Sequence, residues 1–439
     1  MKGIVIHEFE TLIAESTTVI GTPGVHQVPE DVFNWLEKQA LRISEAEKSL
    51  WIRLTQRMGR RAVQVKSFVG VIRAPDGYQI EVLPKIGKAT SQEDARKLLI
   101  EMLSCLGPFR HIQTDNATLL SRKMPLLEIF ISEFLNSVKY IVKRGIRSDY
   151  HAHEDNLFAL RGKIQISTHM QINICRRDRF FTEYDEFSSN RPENRLIHAA
   201  LKCVIDWTNS QHNQQLAREL SFTFSDVPSS KSASSDFAKV RLDRGMAYYD
   251  AGLAWARLIL NENSPLTGSG KNSAPSLLFP MEAVYEAFVS RHLSYQFAKP
   301  YKLKIQANSI SLVSHLNQGW FRLKPDMLLQ SFRVNHIVFD TKWKLIDSKK
   351  DNGSEKYGLS QGDFYQLHAY GQNYLDGTGD VVLIYPKTDH FDKPLPVFDF
   401  PKSSNLRLWV LPFCLKEKRL LLPPCQEFIS YFIELPKNG

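Results

Sequence analysis

Two short acidic motifs, Pro325-Asp326 and Asp340-Thr341-Lys342, lie in the last third of the chain with thirteen residues between the two aspartates. The second motif sits in HIVFDTKWKLI, which reads as a strand. Alternation along a strand puts Asp340 and Lys342 on one face and points Thr341 away. A hairpin through the polar stretch Ser331–Asn335 brings Asp326 beside Asp340. Two adjacent carboxylates are costly unless a cation neutralises them. Hard oxygen ligands of this kind suit Mg²⁺, with Mn²⁺ as a substitute, because Mg²⁺ keeps several waters and takes one or two carboxylates. Lys342 then stands next to the metal. Such a site has the parts for phosphodiester hydrolysis. The metal polarises a phosphoryl oxygen and lowers the pKa of a bound water, while the lysine orients that water or steadies charge on the phosphorane. Glu286, on a preceding helix, completes the ligand set, with Glu282 one turn earlier as the alternative. Spacing leaves open whether one metal or two is held.

An Asp-x-Lys triplet is short, and the chain carries a second one, Asp347-Ser348-Lys349, and a second Pro-Asp at Pro75. Context separates them. Asp347 lies in the solvated run DSKKDNGSEK and Pro75-Asp76-Gly77 is a turn, whereas Asp340 ends the apolar run HIVF. Without a metal, Asp326, Asp340 and Lys342 would be a strand-end ion pair. The helix bearing Glu286 before them and the helix bearing Gln366 after them favour the metal site.

The elements that must position these groups are legible from periodicity. PMEAVYEAFVSRHL has Pro280 at a helix start and Met281, Val284, Tyr285 and Phe288 on one face. ISLVSHL, WFRLKPDMLLQ and HIVFDTKWKLI then read as consecutive antiparallel strands, DFYQLHAYGQNYL as a helix and VVLIYP as a buried strand. PVFDF and LRLWVLPF are further strand candidates. Upstream, the first hundred residues are strand-rich, with a hairpin predicted around Pro75-Asp76-Gly77. Helical spacing dominates Asp94–Gly145, Asn194–Trp207 and Val240–Leu260. The predicted class is α+β or α/β multidomain: strand-rich 1–92, mostly helical 93–260, a polar linker 261–276, and a C-terminal unit 277–439.

The order Glu-bearing helix, Pro-Asp, Asp-x-Lys and then Gln366-Leu-His-Ala-Tyr370 resembles the PD-(D/E)xK nuclease core, whose RecB-like members carry Gln-x-x-x-Tyr on the helix after the lysine. Three further stretches, GYQIEVLPKIG, LRGKIQIS and YDEFSSNRPENRLIHAAL, extend the likeness. Over most of its length the chain resembles the McrC family, nuclease subunits of the McrBC 5-methylcytosine restriction systems that act in phage defence. The resemblance implies a C-terminal αβββαβ endonuclease domain cutting methylated double-stranded DNA. It also implies a partner, a hexameric McrB-like AAA+ ring that binds and hydrolyses GTP and is stimulated by the N-terminal part of the chain. Carried across, Asp326, Asp340 and Glu286 are metal ligands, Lys342 is the catalytic lysine, and Gln366 with Tyr370 is the supporting pair. Arg53, Arg57, Arg60 and Arg61, in the strand-rich N-terminal part, are candidates for reaching the ring.

Composition agrees with that picture. Of the 439 residues, 43% are hydrophobic and 23% charged, as in folded soluble domains, and the net charge of +9 favours an anionic partner. Five widely spaced cysteines form no C-x-x-C pair and read as reduced thiols. No run of about 20 apolar residues and no signal-peptide core appears, so a cytoplasmic protein away from membranes is expected. His151-Ala-His153-Glu154-Asp155 reads as a polar loop, Asp363 as a helix N-cap, and Asn190–Arg195 as polar forks that pair with one another. Arg176-Arg177-Asp178-Arg179 is a solvated charge run or a phosphate contact. With Pro265 and Asn272 in place of the required residues, LTGSGKNSAPS is no phosphate-binding loop, so nucleotide chemistry belongs to the partner. A non-cleaving regulatory subunit and a free-standing RecB-like exonuclease are the competing readings.

Overall fold

In the computed structural model, residues 2–15, 22–45, 51–57, 59–86, 91–109, 124–260, 276–307, 310–403 and 405–433 are described. The alternating segments Phe68–Arg73 and Gln79–Leu83 pair antiparallel with Ile72 opposite Ile80, closing at Gly77 with φ 85°. Gly3–His7 lies parallel to Gln79–Leu83 on one side. On the other side Ser276–Pro280 pairs antiparallel with Phe68–Arg73, while 261–275 of the expected linker 261–276 lie outside the described residues. A second four-stranded sheet runs Val25–Val28, Thr11–Ala14, Arg60–Val65 and Ile52–Arg57. Val32, Phe33, Leu36 and Ala40 of the helix Glu30–Glu45 recur at helical spacing and seal the apolar side of this region.

The middle of the chain holds the helices Gln92–Leu103, Leu126–Arg144, Pro192–Trp207, Gln211–Thr223 and Asp250–Ile259. Between the second and third of these, Asp149–Leu157 and Phe180–Ser188 form an antiparallel pair extended by Lys163–Ile164. The run His151–Asp155 is therefore strand, not loop, and His153 lies 3.5 Å from Glu186 across the pair. In the stretch Asn190–Arg195 the polar forks lock the chain entering the third helix. Arg195 clasps Asp236 through two nitrogens at 3.1 and 2.6 Å and donates to Asn190 Oδ1 at 3.0 Å. Asn194 donates to the carbonyls of Arg147 and Ser189 at 2.8 and 2.7 Å. The cysteines are free thiols, with Cys105 and Cys414 buried and Cys175 exposed.

At the C-terminal end, Lys302–Ile305, Met327–Ser331 and Val334–Thr341 run antiparallel. Thr378–Pro386 and Asn405–Cys414 then continue the sheet parallel to Val334–Thr341, with the helix Gln361–Tyr374 as the crossover. Two strand expectations change. Ile310–His315 and Gln318–Leu323 form their own exposed hairpin, and Lys302–Ile305 takes the expected place beside Met327–Ser331. Pro325, with no N–H to give a ladder, lies in the break between Gln318–Leu323 and Met327–Ser331. The strand carrying Asp340 ends at Thr341, so Lys342 is the first residue past it. On the helix Met281–Leu293, Val284, Tyr285, Phe288 and Val289 are fully buried, each contributing about 1.5–3 kcal/mol. They share one apolar core with Val69 and Val71 of the N-terminal sheet, Phe130 of the middle helices and Phe339 of the C-terminal sheet. No helix among the described residues is long and apolar enough to cross a membrane.

The seam between the first sheet and Ser276–Pro280 depends on Gly70, whose φ is 130° and whose added Cβ would meet the Leu277 carbonyl oxygen at 1.9 Å. Gly70→Ala should lower stability by roughly 2 kcal/mol or more in thermal or urea unfolding. Gly107→Ala, with nothing within 4 Å of the added atom, should change it far less.

Candidate functional site

Because Met327 stands opposite Phe339, the residue before Met327 meets the residues after Phe339. Asp326 Oδ2 there accepts the backbone N–H of Thr341 at 2.6 Å and its hydroxyl at 2.7 Å. Asp340, 2% exposed, lies 2.7 Å through Oδ2 from Lys342 Nζ. The backbone of Lys342 is held too, its N–H donating to the Ile384 carbonyl at 3.0 Å.

The crossover helix fixes the tip of that lysine. Lys342 Nζ donates to Gln366 Oε1 at 3.3 Å, and Gln366 Nε2 donates to the Tyr370 hydroxyl one turn on at 2.6 Å. That hydroxyl donates in turn to the carbonyl of Lys324, two residues before Asp326, at 3.0 Å. The chain of bonds therefore begins at one acidic motif and returns to the other.

Burial raises the pKa of Asp340 to about 7, and the charge of Asp326 adds to the rise against the pull of Lys342. Burial also raises Asp326, although the two bonds from Thr341 and the charge of Lys342 oppose it. For Lys342 burial works against the charged form, but Asp340, Asp363 and Asp326 outweigh it and hold the ammonium above its ordinary range. Among these carboxylates Lys342 is held as a cation that donates to Gln366 and pairs with Asp340.

Of the residues singled out from sequence, Asp326, Asp340, Lys342, Gln366 and Tyr370 come together. Glu286 is half-buried and joins them at one remove. Gln306 Nε2 donates to Glu286 Oε1 at 3.2 Å, while the Gln306 backbone N–H donates to the Asp326 carbonyl at 2.7 Å. Burial and then the charge of Asp326 raise the pKa of Glu286, whereas Glu282 is exposed. Beside Glu286 opens a cleft of 530 Å³ lined in part by Cys105, Gly107, Arg291 and Gln306.

Two readings from sequence are corrected here. Thr341 does not turn away from the site: at the strand's end its hydroxyl and N–H both serve Asp326. Asp363 is not the N-cap of its helix, a position held by Ser360. Its Oδ1 lies 4.0 Å from Lys342 Nζ and its Oδ2 accepts the Tyr385 hydroxyl at 3.3 Å. Its place three residues before Gln366, on the same helix face, was the available signal. Gln306 had none.

Two buried carboxylates with raised pKa values form a hard-oxygen donor set short of positive charge. Mg²⁺ needs only one or two carboxylates beside its waters, so Asp326 and Asp340 fit such a cation. No group of three or more His, Cys, Asp or Glu side chains among the described residues has metal-holding geometry, which leaves Glu286 outside the pair. Arg53, Arg57, Arg60 and Arg61 lie elsewhere, on the exposed hairpin Ile52–Arg57/Arg60–Val65. Arg53 donates to Gln64 at 2.7 Å and Arg61 to both oxygens of Glu37 at 3.0 and 2.9 Å.

The chain is therefore a mixed α+β protein with an acidic, lysine-bearing site at a sheet's end. Residues 63–386 match the family described as McrBC 5-methylcytosine restriction system component, and the chain belongs to that family. Among solved structures it is similar to a chain of the half-complex from the tetradecameric assembly of Thermococcus gammatolerans McrB AAA+ hexamers with bound McrC. That match has a TM-score of 0.64 at 16% identity and covers 98% of each chain. A chain of the cryo-EM structure of the Thermococcus gammatolerans McrBC complex aligns at a TM-score of 0.49 and 19% identity, covering 66% of this chain and 87% of that one. No curated protein matches the sequence.

The raised pKa of Asp340 carries a stability consequence. Its folded value of about 7 exceeds the ordinary 3.8, so the folded state binds the proton more tightly and loses stability as pH rises between the two. In cation-free buffer at pH 8, Asp340→Asn should be more stable than the parent, by up to about 4 kcal/mol. The gap should close below about pH 4. A melting temperature at pH 8 below that of the parent would contradict this assignment.

Proposed function

We propose that this chain is the DNA-cutting subunit of a McrBC-type restriction complex, an endonuclease that depends on Mg²⁺. In this reading it cuts methylated double-stranded DNA in the cytoplasm and stimulates the GTPase of a hexameric McrB-like AAA+ partner. The observation that carries the reading is the pair of half-buried Asp326 and buried Asp340 with Lys342 pinned beside them by Gln366 and Tyr370. The order helix Met281–Leu293, three antiparallel strands, helix Gln361–Tyr374 and parallel strand Thr378–Pro386 supports a PD-(D/E)xK assignment for this region. Family membership supports the restriction context, and the McrB hexamers in the similar Thermococcus assembly support the partner.

Asp326 and Asp340 would hold the cation, and Glu286, linked to Asp326 through Gln306, would add negative charge beside them. When bound, the cation supplies Lewis-acid stabilisation of the phosphoryl oxygen and a bound water of lowered pKa. The remaining work falls to the chain. Thr341 fixes the carboxylate plane of Asp326 through two bonds, so that oxygen cannot rotate away. Lys342, kept charged by Asp340, Asp363 and Asp326, stands ready to donate to a phosphate oxygen and to offset charge growing on the phosphorane. Gln366, held by Tyr370, gives the lysine a second partner beside Asp340 and so fixes the direction of its ammonium. Lys342→Gln should therefore lose more than 10²-fold in cleavage rate with little loss of DNA binding.

The deciding experiment is plasmid cleavage with Mg²⁺ on methylated and unmethylated DNA, with and without a cognate McrB-like GTPase and GTP, beside Asp340→Ala. Cutting that requires partner, GTP and methylation, and that Asp340→Ala abolishes while GTPase stimulation persists, is the expected result. Cutting by Asp340→Ala at the parent's rate would overturn the site, and cutting of DNA ends without the partner would favour an exonuclease. At the N-terminal hairpin, Arg57 and Arg60 flank the turn and are the proposed contacts with the ring. Neutralising both should lower stimulated GTP hydrolysis severalfold at sub-saturating chain, and an unchanged rate would remove the assignment.

A further inference from the structure

One buried acid lies outside the site yet touches it. Glu8 follows the strand Gly3–His7 and is fully buried. Its Oε1 accepts the indole N–H of Trp343 at 2.6 Å and the backbone N–H of Lys85 at 3.0 Å, while Oε2 has no partner among the described residues. Trp343 is the residue after Lys342. Its ring packs on Tyr285, the neighbour of Glu286, with centroids 5.2 Å apart. A second link runs from the same sheet: Ser276–Pro280 pairs with Phe68–Arg73, and the Met281 N–H donates to the Ser67 carbonyl at 3.0 Å. The helix that carries Glu286 therefore starts on the N-terminal sheet, and the segment that carries Lys342 is tied to it.

A carboxylate with one oxygen unpaired in a dry site is an expensive way to fill space, and an apolar side chain of similar size would be cheaper. Burial accordingly pushes its pKa up to about 7. What an apolar residue could not do is hold an indole N–H. Lys342 is the first residue past the strand; its backbone is held by its N–H to Ile384 and by the Lys344 N–H on its carbonyl, and the Glu8–Trp343 bond anchors the residue between them.

We infer that Glu8 is a positioning residue for the proposed nuclease centre, acting through Trp343 to set where Lys342 stands and making the N-terminal sheet part of the frame of the site. This rests on the nuclease reading above. It also gives the partner-facing end of the chain a direct mechanical connection to the cutting end.

The test uses the complex of full chain, GTPase partner, GTP, Mg²⁺ and methylated plasmid. Trp343→Phe keeps a ring against Tyr285 but removes the N–H along with part of the buried indole, while Glu8→Gln keeps an acceptor and Glu8→Ala removes it without touching the ring. Trp343→Phe and Glu8→Ala should each lower the cleavage rate at saturating DNA by about ten- to hundredfold, with the DNA concentration for half-maximal rate unchanged. Glu8→Gln should restore most of the rate. The double variant Glu8→Ala/Trp343→Phe should be no slower than the worse single one, since both break the same bond. GTPase stimulation by Trp343→Phe should match the parent. Asp340→Ala runs alongside. If it cuts like the parent, the nuclease reading itself fails. If it is dead while Trp343→Phe, melting like the parent, cuts at the parental rate, the role given to Glu8 is wrong and the nuclease reading stands. Should Glu8→Ala not fold, Trp343→Phe alone decides.

Discussion

Two aspartates held side by side under burial are the constraint around which this site is arranged. Ionised together in a dry place they repel, and burial with that repulsion pushes Asp340 up to about 7. Each neighbour answers part of the cost. Thr341 gives Asp326 two donors, Lys342 gives Asp340 a cation, and Gln366 with Tyr370 ties that cation back to the carbonyl of Lys324 beside Pro325-Asp326. One positive charge against two carboxylates, with Asp363 also close, still leaves the site short of positive charge. In the proposed reading a divalent cation would meet that deficit, and the cation together with Lys342 would attract a phosphate oxygen.

The scaffold follows from what those groups need. Antiparallel pairing of Met327–Ser331 with Val334–Thr341 delivers the aspartates to the same sheet end. A parallel crossover is then the economical way to bring a helix over that end, which is where Gln366 and Tyr370 must sit. The apolar core shared by the N-terminal sheet, the middle helices and the helix Met281–Leu293 keeps Glu286 and Trp343 from drifting relative to the aspartates.

The sequence made the local parts of this arrangement legible. Asp340 was readable because it ends an apolar strand run, while Gln366 and Tyr370 were picked out by the family likeness of the Gln-x-x-x-Tyr spacing on the following helix. The hairpin at Pro75-Asp76-Gly77 and the amphipathic helix from Met281 were visible from their apolar spacing. The misses share a different cause. Thr341 was judged by alternation, which stops applying where the strand ends. Ile310–His315 alternates well enough to suggest a core strand, yet its outward residues find no sheet and Lys302–Ile305 takes the place. Ser276–Pro280 pairing with Phe68–Arg73 and Glu8 meeting Trp343 join residues 200 and more positions apart, and no local pattern announces such contacts. Asp363 looked like a cap because caps are common near helix starts, but Ser360 holds that position and Asp363 turns instead toward Lys342 and Tyr385.

The central claim, that Asp326 and Asp340 form a divalent-cation site with Asp340 as its proton-linked member, is tested most directly by calorimetric titration of Mn²⁺ or Mg²⁺ into the protein at pH 7 in two buffers of different ionisation heat. The account predicts binding that releases part of a proton in the parent, because Asp340 with a pKa of about 7 must ionise, and no such binding in Asp340→Asn or Asp326→Asn. Equal binding by the parent and Asp340→Asn, or none by the parent, would contradict it.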